Sequence, residues 1–209
     1  MQLTVFGATG GIGTEVVRQA LAAGHRVTAV LRGDPGRLAV PAADGLNVVV
    51  ADVINPAAIT PPLEGADAAV SALGPRRGDS KSICADGVRA VLAAMTKTGT
   101  GRIVAVSASG LFREPGEPPL TRYVAKPLLQ SILRDGKADV RHMEDELVAS
   151  TAAWTIMRPS MLVNGPRGSY RTALDRFVSA RTRRADVADA ILAALGDPAT
   201  IGHRVNVGC

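Results

Sequence analysis

The chain has 209 residues, of which 46% are hydrophobic and 21% charged, a composition typical of a globular domain and not of a disordered chain. Aromatic residues make up only 3%, so the core must be built from aliphatic side chains packed closely around small residues. The net charge is +5, but the basic residues are scattered without interleaved aromatics, which argues against nucleic acid binding.

The sequence also predicts where in the cell the protein is located. No apolar run approaches the roughly 18 residues of a membrane span, and the first residues lack the pattern of a signal peptide. Two cysteines, Cys84 and Cys209, make neither a disulfide framework nor a metal site. We therefore expect a cytoplasmic protein with no metal and no membrane partner.

Short apolar runs alternate with amphipathic stretches along the chain. The runs predict strands at Leu3–Phe6, Arg26–Leu31, Asn47–Val50, Ala68–Ser71, Arg102–Val106, Trp154–Met157 and Val205–Val207. Apolar spacings of three and four residues predict helices at Ile12–Leu21, Cys84–Met95, Leu120–Arg134, Lys137–Ser150 and Val187–Leu195. This alternation predicts an α/β fold, a doubly wound parallel sheet closed by Val205–Val207, with helices on both faces and one domain over residues 1–209.

Two stretches, Gly110–Pro119 and Ser160–Thr182, break the alternation, and each follows a predicted strand. Ligands of open parallel sheets bind at the carboxyl ends of the strands. We therefore expect substrate loops at about residues 110–122 and 160–182, with Arg167, Tyr170 and Arg171 in the second loop closing over a ligand. Ordinary surface loops are the alternative.

A glycine-rich turn directly follows the first strand and opens the first helix. Gly7, Gly10 and Gly13 of this turn, Gly7-Ala8-Thr9-Gly10-Gly11-Ile12-Gly13, allow a tight bend and a close backbone approach to a pyrophosphate. The helix N-terminus would present its N–H groups to the anion. The turn predicts a dinucleotide site, with a purely structural turn as the alternative.

The end of the second strand bears on which dinucleotide binds. Arg32 stands there and Arg37 follows, and an arginine at this place matches the 2′-phosphate of NADP. Asp34 is the competing acid that would favour NAD, but it lies beyond Gly33. Asp52 and Val53 follow the third strand on the adenine side, where Asp52 could instead cap a helix. Ala72, Leu73 and Gly74 follow the fourth strand on the nicotinamide side.

These features resemble the atypical short-chain dehydrogenase/reductases, in particular the small NAD(P)H-binding proteins similar to biliverdin-IXβ reductase, also called flavin reductase. The segments that carry the resemblance are Gly7–Gly13, Leu31-Arg32, Ala51–Val53, Leu73-Gly74, Val106–Ser109, Trp154–Pro159 and Arg184–Ala188. The resemblance implies a Rossmann reductase, monomeric or a weak homodimer, that passes hydride from NADPH to a flat conjugated acceptor.

The resemblance also implies particular site residues. Cofactor contacts are implied for Thr9, Gly10, Ile12, Arg32, Asp52, Val53, Leu73, Gly74, Ser107 and Pro159. Relatives carry a serine after the fifth strand, and either Ser107 or Ser109 would fill that catalytic position. Ser160 stands where such relatives place a histidine after the proline of the sixth strand.

The Tyr and Lys pair of the classical short-chain dehydrogenases is absent, because Pro127 and Leu174 stand four residues after the two tyrosines. Tyr123 and Lys126 are one residue too close, which turns the Lys by about 100° on a helix. A flavin, quinone or tetrapyrrole can take its proton from water, so NADPH-dependent reduction of such an acceptor is the leading hypothesis. There are two alternatives: a non-catalytic NADP sensor, and an isomerase or cyclase of specialised metabolism.

Overall fold

The apolar runs of the sequence form the strands of one sheet in the computed structural model, which describes residues 1–75, 80–119, 123, 134–179 and 181–209. In chain order the strands are β1 (Gln2–Phe6), β2 (Arg26–Leu31), β3 (Leu46–Val50), β4 (Ala68–Ser71), β5 (Arg102–Val106), β6 (Ala153–Pro159), β7 (Met161–Val163), β8 (Arg171–Leu174), β9 (Arg181–Arg183) and β10 (Arg204–Gly208). The helices of the described residues are α1 (Gly11–Ala22), α2 (Pro56–Ile59), α3 (Ile83–Thr98), α4 (Arg134–Ala149) and α5 (Arg184–Gly196).

The main sheet has eight strands in the order β3-β2-β1-β4-β5-β6-β10-β8, and all neighbours are parallel except β8, which runs antiparallel to β10. β1 lies between β2 and β4, so the chain winds outward from it in both directions. This is the doubly wound Rossmann-like arrangement, and the predicted fold class is confirmed. The reversal of strand order places a crevice at the carboxyl ends of β1 and β4.

Both faces of the sheet are covered. α1 packs against α5 on one face, where Leu3 and Val5 are fully buried. α3 packs against α4 on the other face, where Phe6 and Ile103 are fully buried. Because neighbouring residues of a strand point to opposite faces, burial of both Val5 and Phe6 explains why the central strands are apolar throughout.

The prediction for the end of the chain was wrong in part. β10 contains the predicted Val205–Val207, but it does not close the sheet, since β8 pairs along its free side. β8 lies within the stretch predicted as a loop at Ser160–Thr182, and that stretch also holds β7 and most of β9, which pair with each other in parallel. β8 and β9 lack the apolar run by which a strand is predicted, and the apolar run of β7 has only three residues.

Several predictions fall on residues outside the described part of the chain. The predicted helix Leu120–Arg134 and the last residues of the first substrate loop, 120–122, lie there, apart from Tyr123, which is exposed, and Arg134. Among the described residues, no helix is both long and apolar enough to cross a membrane. The same part of the chain contains no cluster of three or more His, Cys, Asp or Glu side chains arranged to hold a metal ion.

Candidate functional site: a cleft at the glycine turn

The glycine turn that joins β1 to α1 packs tightly against the backbone next to it. Gly7 has a φ of +75°, and a Cβ atom on it would lie 2.4 Å from the carbonyl oxygen of Ala72. A Cβ atom on Gly13 would lie 2.2 Å from the carbonyl oxygen of Gly7. Only glycine fits at these two positions, so the turn lies directly against the end of β4.

The N-terminus of α1 is left open by the sequence. Gly10 is the N-cap residue, no side chain caps the helix, and the first turn contains no acidic residue. The first amides of a helix have no intrahelical acceptor and carry the positive end of the helix dipole. This end of α1 is therefore suited to an anion such as a phosphate.

A cleft of about 330 Å³ opens in front of this turn, a volume within the usual range for small-molecule sites. The described residues that line it are Gly7, Thr9, Gly10, Gly11, Ile12, Val30, Leu31, Arg32, Val53, Ala72, Leu73, Gly74, Pro75, Val106, Leu162 and Arg184. The cleft thus brings together the predicted glycine turn, the end of β2, and the residues that follow β3 and β4. The predicted cofactor residues Gly13, Arg37, Asp52, Ser107, Pro159 and Ser160 are not among the lining residues.

The end of β2 presents one cation to the cleft. Arg32 is exposed and lines it, whereas Arg37 lies on the exposed helical turn Pro35–Arg37. The Asp34 carboxylate accepts a hydrogen bond from the Gly36 amide at 2.8 Å and so caps that turn. The Asp52 carboxylate also accepts a hydrogen bond from the backbone, from the Ile54 amide at 3.2 Å, while Val53 lines the cleft.

The opposite end of the cleft is apolar. Leu73 and Pro75 follow β4, Val106 ends β5, and Leu162 reaches over from β7. Sequence reasoning did not assign Pro75, Val106 or Leu162 to the cofactor site. Val106 could have been found from its place at the carboxyl end of a central strand, but Leu162 depends on the pairing of β7 with β9, for which the sequence gives no clear signal.

Ser107 and Ser109, the predicted catalytic hydroxyls, both point into a buried ionic cluster. The Ser107 hydroxyl donates to Glu144 at 2.5 Å, and the Ser109 hydroxyl donates to Glu114 at 3.1 Å. Arg158 lies between the two carboxylates, with Nε and Nη2 on Glu144 at 2.9 and 2.5 Å and Nη1 on Glu114 at 3.3 Å. The cluster joins the loop after β5 to β6 and α4.

The residues after β6 contribute to structure next to the cleft. Pro159 ends β6 and is buried. The Ser160 hydroxyl donates to the carbonyl oxygen of Ser179, and its amide donates to the Thr182 hydroxyl at 3.2 Å. These bonds hold the beginning of β7 against the segment that leads into β9.

Two residues of the predicted lid over the ligand, Arg167 and Tyr170, contact α5 instead. Arg167 Nη1 forms a salt bridge with Asp189 at 2.6 Å, and the Tyr170 hydroxyl donates to the same carboxylate at 2.8 Å. Burial and the hydrogen bond to Asp189 raise the pKa of Tyr170 well above that of an ordinary tyrosine. A tyrosine with a raised pKa is a poor proton donor, and this one is bound to α5 rather than facing the cleft.

The fold and the cleft define a dinucleotide-binding α/β protein of the Rossmann type. The chain matches the family described as NAD(P)H-binding over residues 7–198 and therefore belongs to this family. The resemblance noted from the sequence is confirmed at the level of the family.

Part of the chain matches relatives from mycobacteria. Uncharacterized proteins of Mycobacterium tuberculosis and Mycobacterium bovis are 35% identical over 107 residues, which is 51% of this chain. The match spans only 12% of the length of those relatives.

Solved structures with the same fold cover nearly the whole chain. An oxidoreductase from Lactococcus lactis has a TM-score of 0.81 at 21% identity, covering 99% of this chain and 90% of that one. A short-chain dehydrogenase/reductase from Veillonella parvula in complex with NADP has a TM-score of 0.80 at 20% identity, covering 100% and 94%. A Burkholderia pseudomallei protein described as exported has a TM-score of 0.80 at 23% identity, covering all of both chains.

Proposed function

We propose that this protein is an NADPH-dependent oxidoreductase that transfers hydride to a flat conjugated acceptor, a flavin, a quinone or a tetrapyrrole. The observation that carries the proposal is one cleft with a phosphate-binding turn at its centre, an arginine at one end and an apolar wall at the other. These three features match the pyrophosphate, the 2′-phosphate and the nicotinamide of NADPH.

The residues present fit the dinucleotide. The N-terminus of α1 has no side-chain cap and no first-turn acid, which leaves its amides for a pyrophosphate. Gly7 lets the turn lie against the Ala72 carbonyl group after β4, and Gly13 lets α1 pack against Gly7. A side chain at either position would push the turn out of place.

The preference for NADP rests on the end of β2. Arg32 lines the cleft, and a guanidinium binds a phosphate with two parallel hydrogen bonds. The only acid nearby in the chain, Asp34, caps the turn Pro35–Arg37 through the Gly36 amide. Asp34 is not among the described residues that line the cleft.

The acceptor class follows from the apolar end of the cleft. A bound reduced nicotinamide would supply a hydride there. Leu73, Val106 and Leu162 would exclude water from its ring and from a stacked acceptor. None of the described lining residues is a tyrosine, histidine or carboxylic acid, which favours an acceptor that can take its proton from solvent.

The proposal is tested by following the absorbance of NADPH in the presence of FMN, menadione and biliverdin in turn, with NADH in parallel. We expect turnover with at least one acceptor and a lower rate with limiting NADH than with limiting NADPH. The Arg32→Ala variant should raise KM for NADPH and leave kcat nearly unchanged, since Arg32 contacts only the part of the cofactor far from the reacting ring. No turnover with any of the three acceptors would contradict the proposal.

A non-catalytic NADP sensor is the second candidate. It is favoured by the same lack of an acid or base among the described lining residues, and by the binding of Ser107 and Ser109 to buried carboxylates. Tight binding of NADP⁺ without consumption of NADPH by any acceptor would support this function instead.

We also propose a cytoplasmic location, a monomer or weak homodimer, and no nucleic acid partner. The location is supported by the two cysteines, buried Cys84 and exposed Cys209, which form no disulfide, since thiols persist in a reducing compartment.

A further inference from the structure

Arg184, the first residue of α5, lies directly over the glycine turn. A Cβ atom built on Gly11 would be 2.6 Å from Cδ and 2.8 Å from Nε of Arg184. Gly11 has no left-handed backbone that would require a glycine, so its missing side chain is explained by the arginine across it. Both residues line the cleft.

The guanidinium of Arg184 is held in this position from one side. Its Nη1 donates to Asn164 Oδ1 at 2.6 Å, and Asn164 directly follows β7. β7 pairs in parallel with β9, which leads into α5. The β7–β9 pair therefore sets where the arginine points.

Arg184 differs from the neighbouring Arg183 in its ionic partners. Arg183 forms a salt bridge at 3.1 Å with Asp186, whose side chain is fully buried. Among the described residues no carboxylate forms a salt bridge with Arg184, whose hydrogen-bond partner Asn164 is neutral. The charge of Arg184 is thus not compensated by a neighbouring acid.

Two positive groups consequently lie next to each other at the cleft, the Arg184 side chain and the open N-terminus of α1. They repel each other, and an anion bound in contact with both groups would relieve this repulsion. A guanidinium and a row of backbone amides are both matched to phosphate oxygens.

We propose that Arg184 is a pyrophosphate-binding residue that closes the cofactor's diphosphate against the glycine turn, with Asn164 as its positioning residue. The ligand class is a nucleoside diphosphate, and its identity as NADP rests on the proposed function. Arg32 and Arg184 then bind different phosphate groups of the cofactor, Arg32 the 2′-phosphate and Arg184 the diphosphate bridge.

The test is calorimetric titration of the full chain with NADP⁺ and with 2′-AMP, which carries the 2′-phosphate but no diphosphate. Arg184→Ala should weaken NADP⁺ binding by about tenfold to a hundredfold, the range for a lost charge-assisted hydrogen bond, and should change 2′-AMP affinity less than twofold. Arg32→Ala should weaken both ligands. Arg184→Lys should recover part of the loss, because a lysine keeps the charge but not the planar fork.

Two further variants separate binding from folding. Asn164→Ala should weaken NADP⁺ binding by less than Arg184→Ala, since it removes only the group that positions the guanidinium. Arg181→Ala removes the same charge from the exposed start of β9 and should bind both ligands as the wild type does. Thermal unfolding of each variant without ligand checks that the fold is retained.

Either of two results would overturn the proposal: unchanged NADP⁺ affinity in Arg184→Ala, or an equal loss for NADP⁺ and 2′-AMP. These readouts are independent of turnover. Absence of NADPH oxidation with intact binding would reject the proposed reductase function and leave the role of Arg184 standing.

Discussion

At the scale of single residues, the two arginines of the cleft differ in how the sequence reveals them. Arg32 is recognisable because it directly follows the second strand, where the ribose end of a dinucleotide is expected. Arg184 lies far along the chain from Gly11, and only the folded structure brings its side chain over that glycine. A residue whose role depends on such a distant contact is not assigned by local pattern.

Arg32 gives the first prediction. Arg32→Ala should weaken NADP⁺ binding by about tenfold to a hundredfold and leave NAD⁺ binding nearly unchanged, because only NADP⁺ carries the phosphate that the guanidinium would contact. The measurement is titration with both nucleotides. Arg26→Ala, at the other end of the same strand, is the matched control and should have no effect. An equal loss of affinity for NAD⁺ would contradict the assignment.

Tyr170 gives the second prediction. Tyr170→Phe should leave kcat unchanged and lower the free energy of unfolding by about 1 kcal/mol, the usual contribution of one hydrogen bond, here to Asp189. A marked fall in kcat would instead make Tyr170 a catalytic group.

The pH dependence of the same variant follows from the raised pKa of Tyr170. The unfolded chain releases this proton at about pH 10, before the folded chain does, so the stabilisation is complete below that pH and is lost as the pH rises further. Chemical unfolding at several alkaline pH values should show that the free energy of unfolding falls less with rising pH in Tyr170→Phe than in the wild type. An equal fall in both proteins would contradict the raised pKa.

At the scale of elements, the turn between β1 and α1 is fixed by contacts of backbone with backbone. A methyl group at Gly13 would lie 2.2 Å from the Gly7 oxygen and 2.9 Å from the Ala8 Cα. Neither atom can move without moving the whole turn. The requirement for glycine therefore concerns the packing of α1 on β1 as much as the ligand.

The third prediction concerns this packing. Overpacking usually costs about 1–3 kcal/mol, and the roughly 1 kcal/mol that alanine gains over glycine in a helix offsets part of it, so Gly13→Ala should lower stability by up to about 2 kcal/mol. It should also weaken NADP⁺ binding, because the turn has to shift. Gly136→Ala is the matched control in α4, where no atom of the described residues lies within 4 Å of a Cβ atom built on Gly136, and it should be neutral or stabilising. Denaturant unfolding measures both, and a stable Gly13→Ala variant with normal affinity would contradict the account.

The buried ionic cluster joins three elements behind the cleft. Glu144 on α4 accepts hydrogen bonds from Arg158 on β6 and from Ser107 after β5, and Arg158 also lies 4.0 Å from the centre of the Phe112 ring. Both Arg158 and Glu144 are more than nine-tenths buried. A carboxylate this deep in the protein needs its cation.

The fourth prediction follows from that requirement. Arg158→Met should lower the free energy of unfolding by about 3–5 kcal/mol, because Glu144 would keep a buried charge without its main partner. Arg204→Met should lower it by no more than about 1 kcal/mol, since Arg204 contacts Glu144 at 3.3 Å from a partly exposed position. Denaturant unfolding distinguishes the two, and similar small losses would show that the cluster contributes little.

The elements also show where sequence reasoning is reliable. The alternation of apolar strands and amphipathic helices predicts the fold class, because both faces of the central strands have to be apolar. β8 and β9 were missed because they contain no continuous apolar run, and β7 was missed because its apolar run has only three residues. The partners of Ser107 and Ser109 were missed because Glu144 and Glu114 meet Arg158 only after the loop, β6 and α4 have packed together.

At the scale of the whole molecule, the strand order decides where the ligand binds. β1 and β4 are neighbours with their helices on opposite faces, and the crevice between their ends lies in front of the glycine turn. The β7–β9 pair adds a wall that contributes Leu162 and positions Arg184 through Asn164. The cleft is thus assembled from segments that lie far apart in the chain.

We propose that this cleft binds NADP(H) in preference to NAD(H). The most direct test is calorimetric titration of the wild-type protein with NADPH and NADH under the same conditions. We expect a dissociation constant for NADPH at least about tenfold lower than that for NADH, the effect of one charge-assisted contact with the 2′-phosphate. Equal affinities, or tighter binding of NADH, would contradict it.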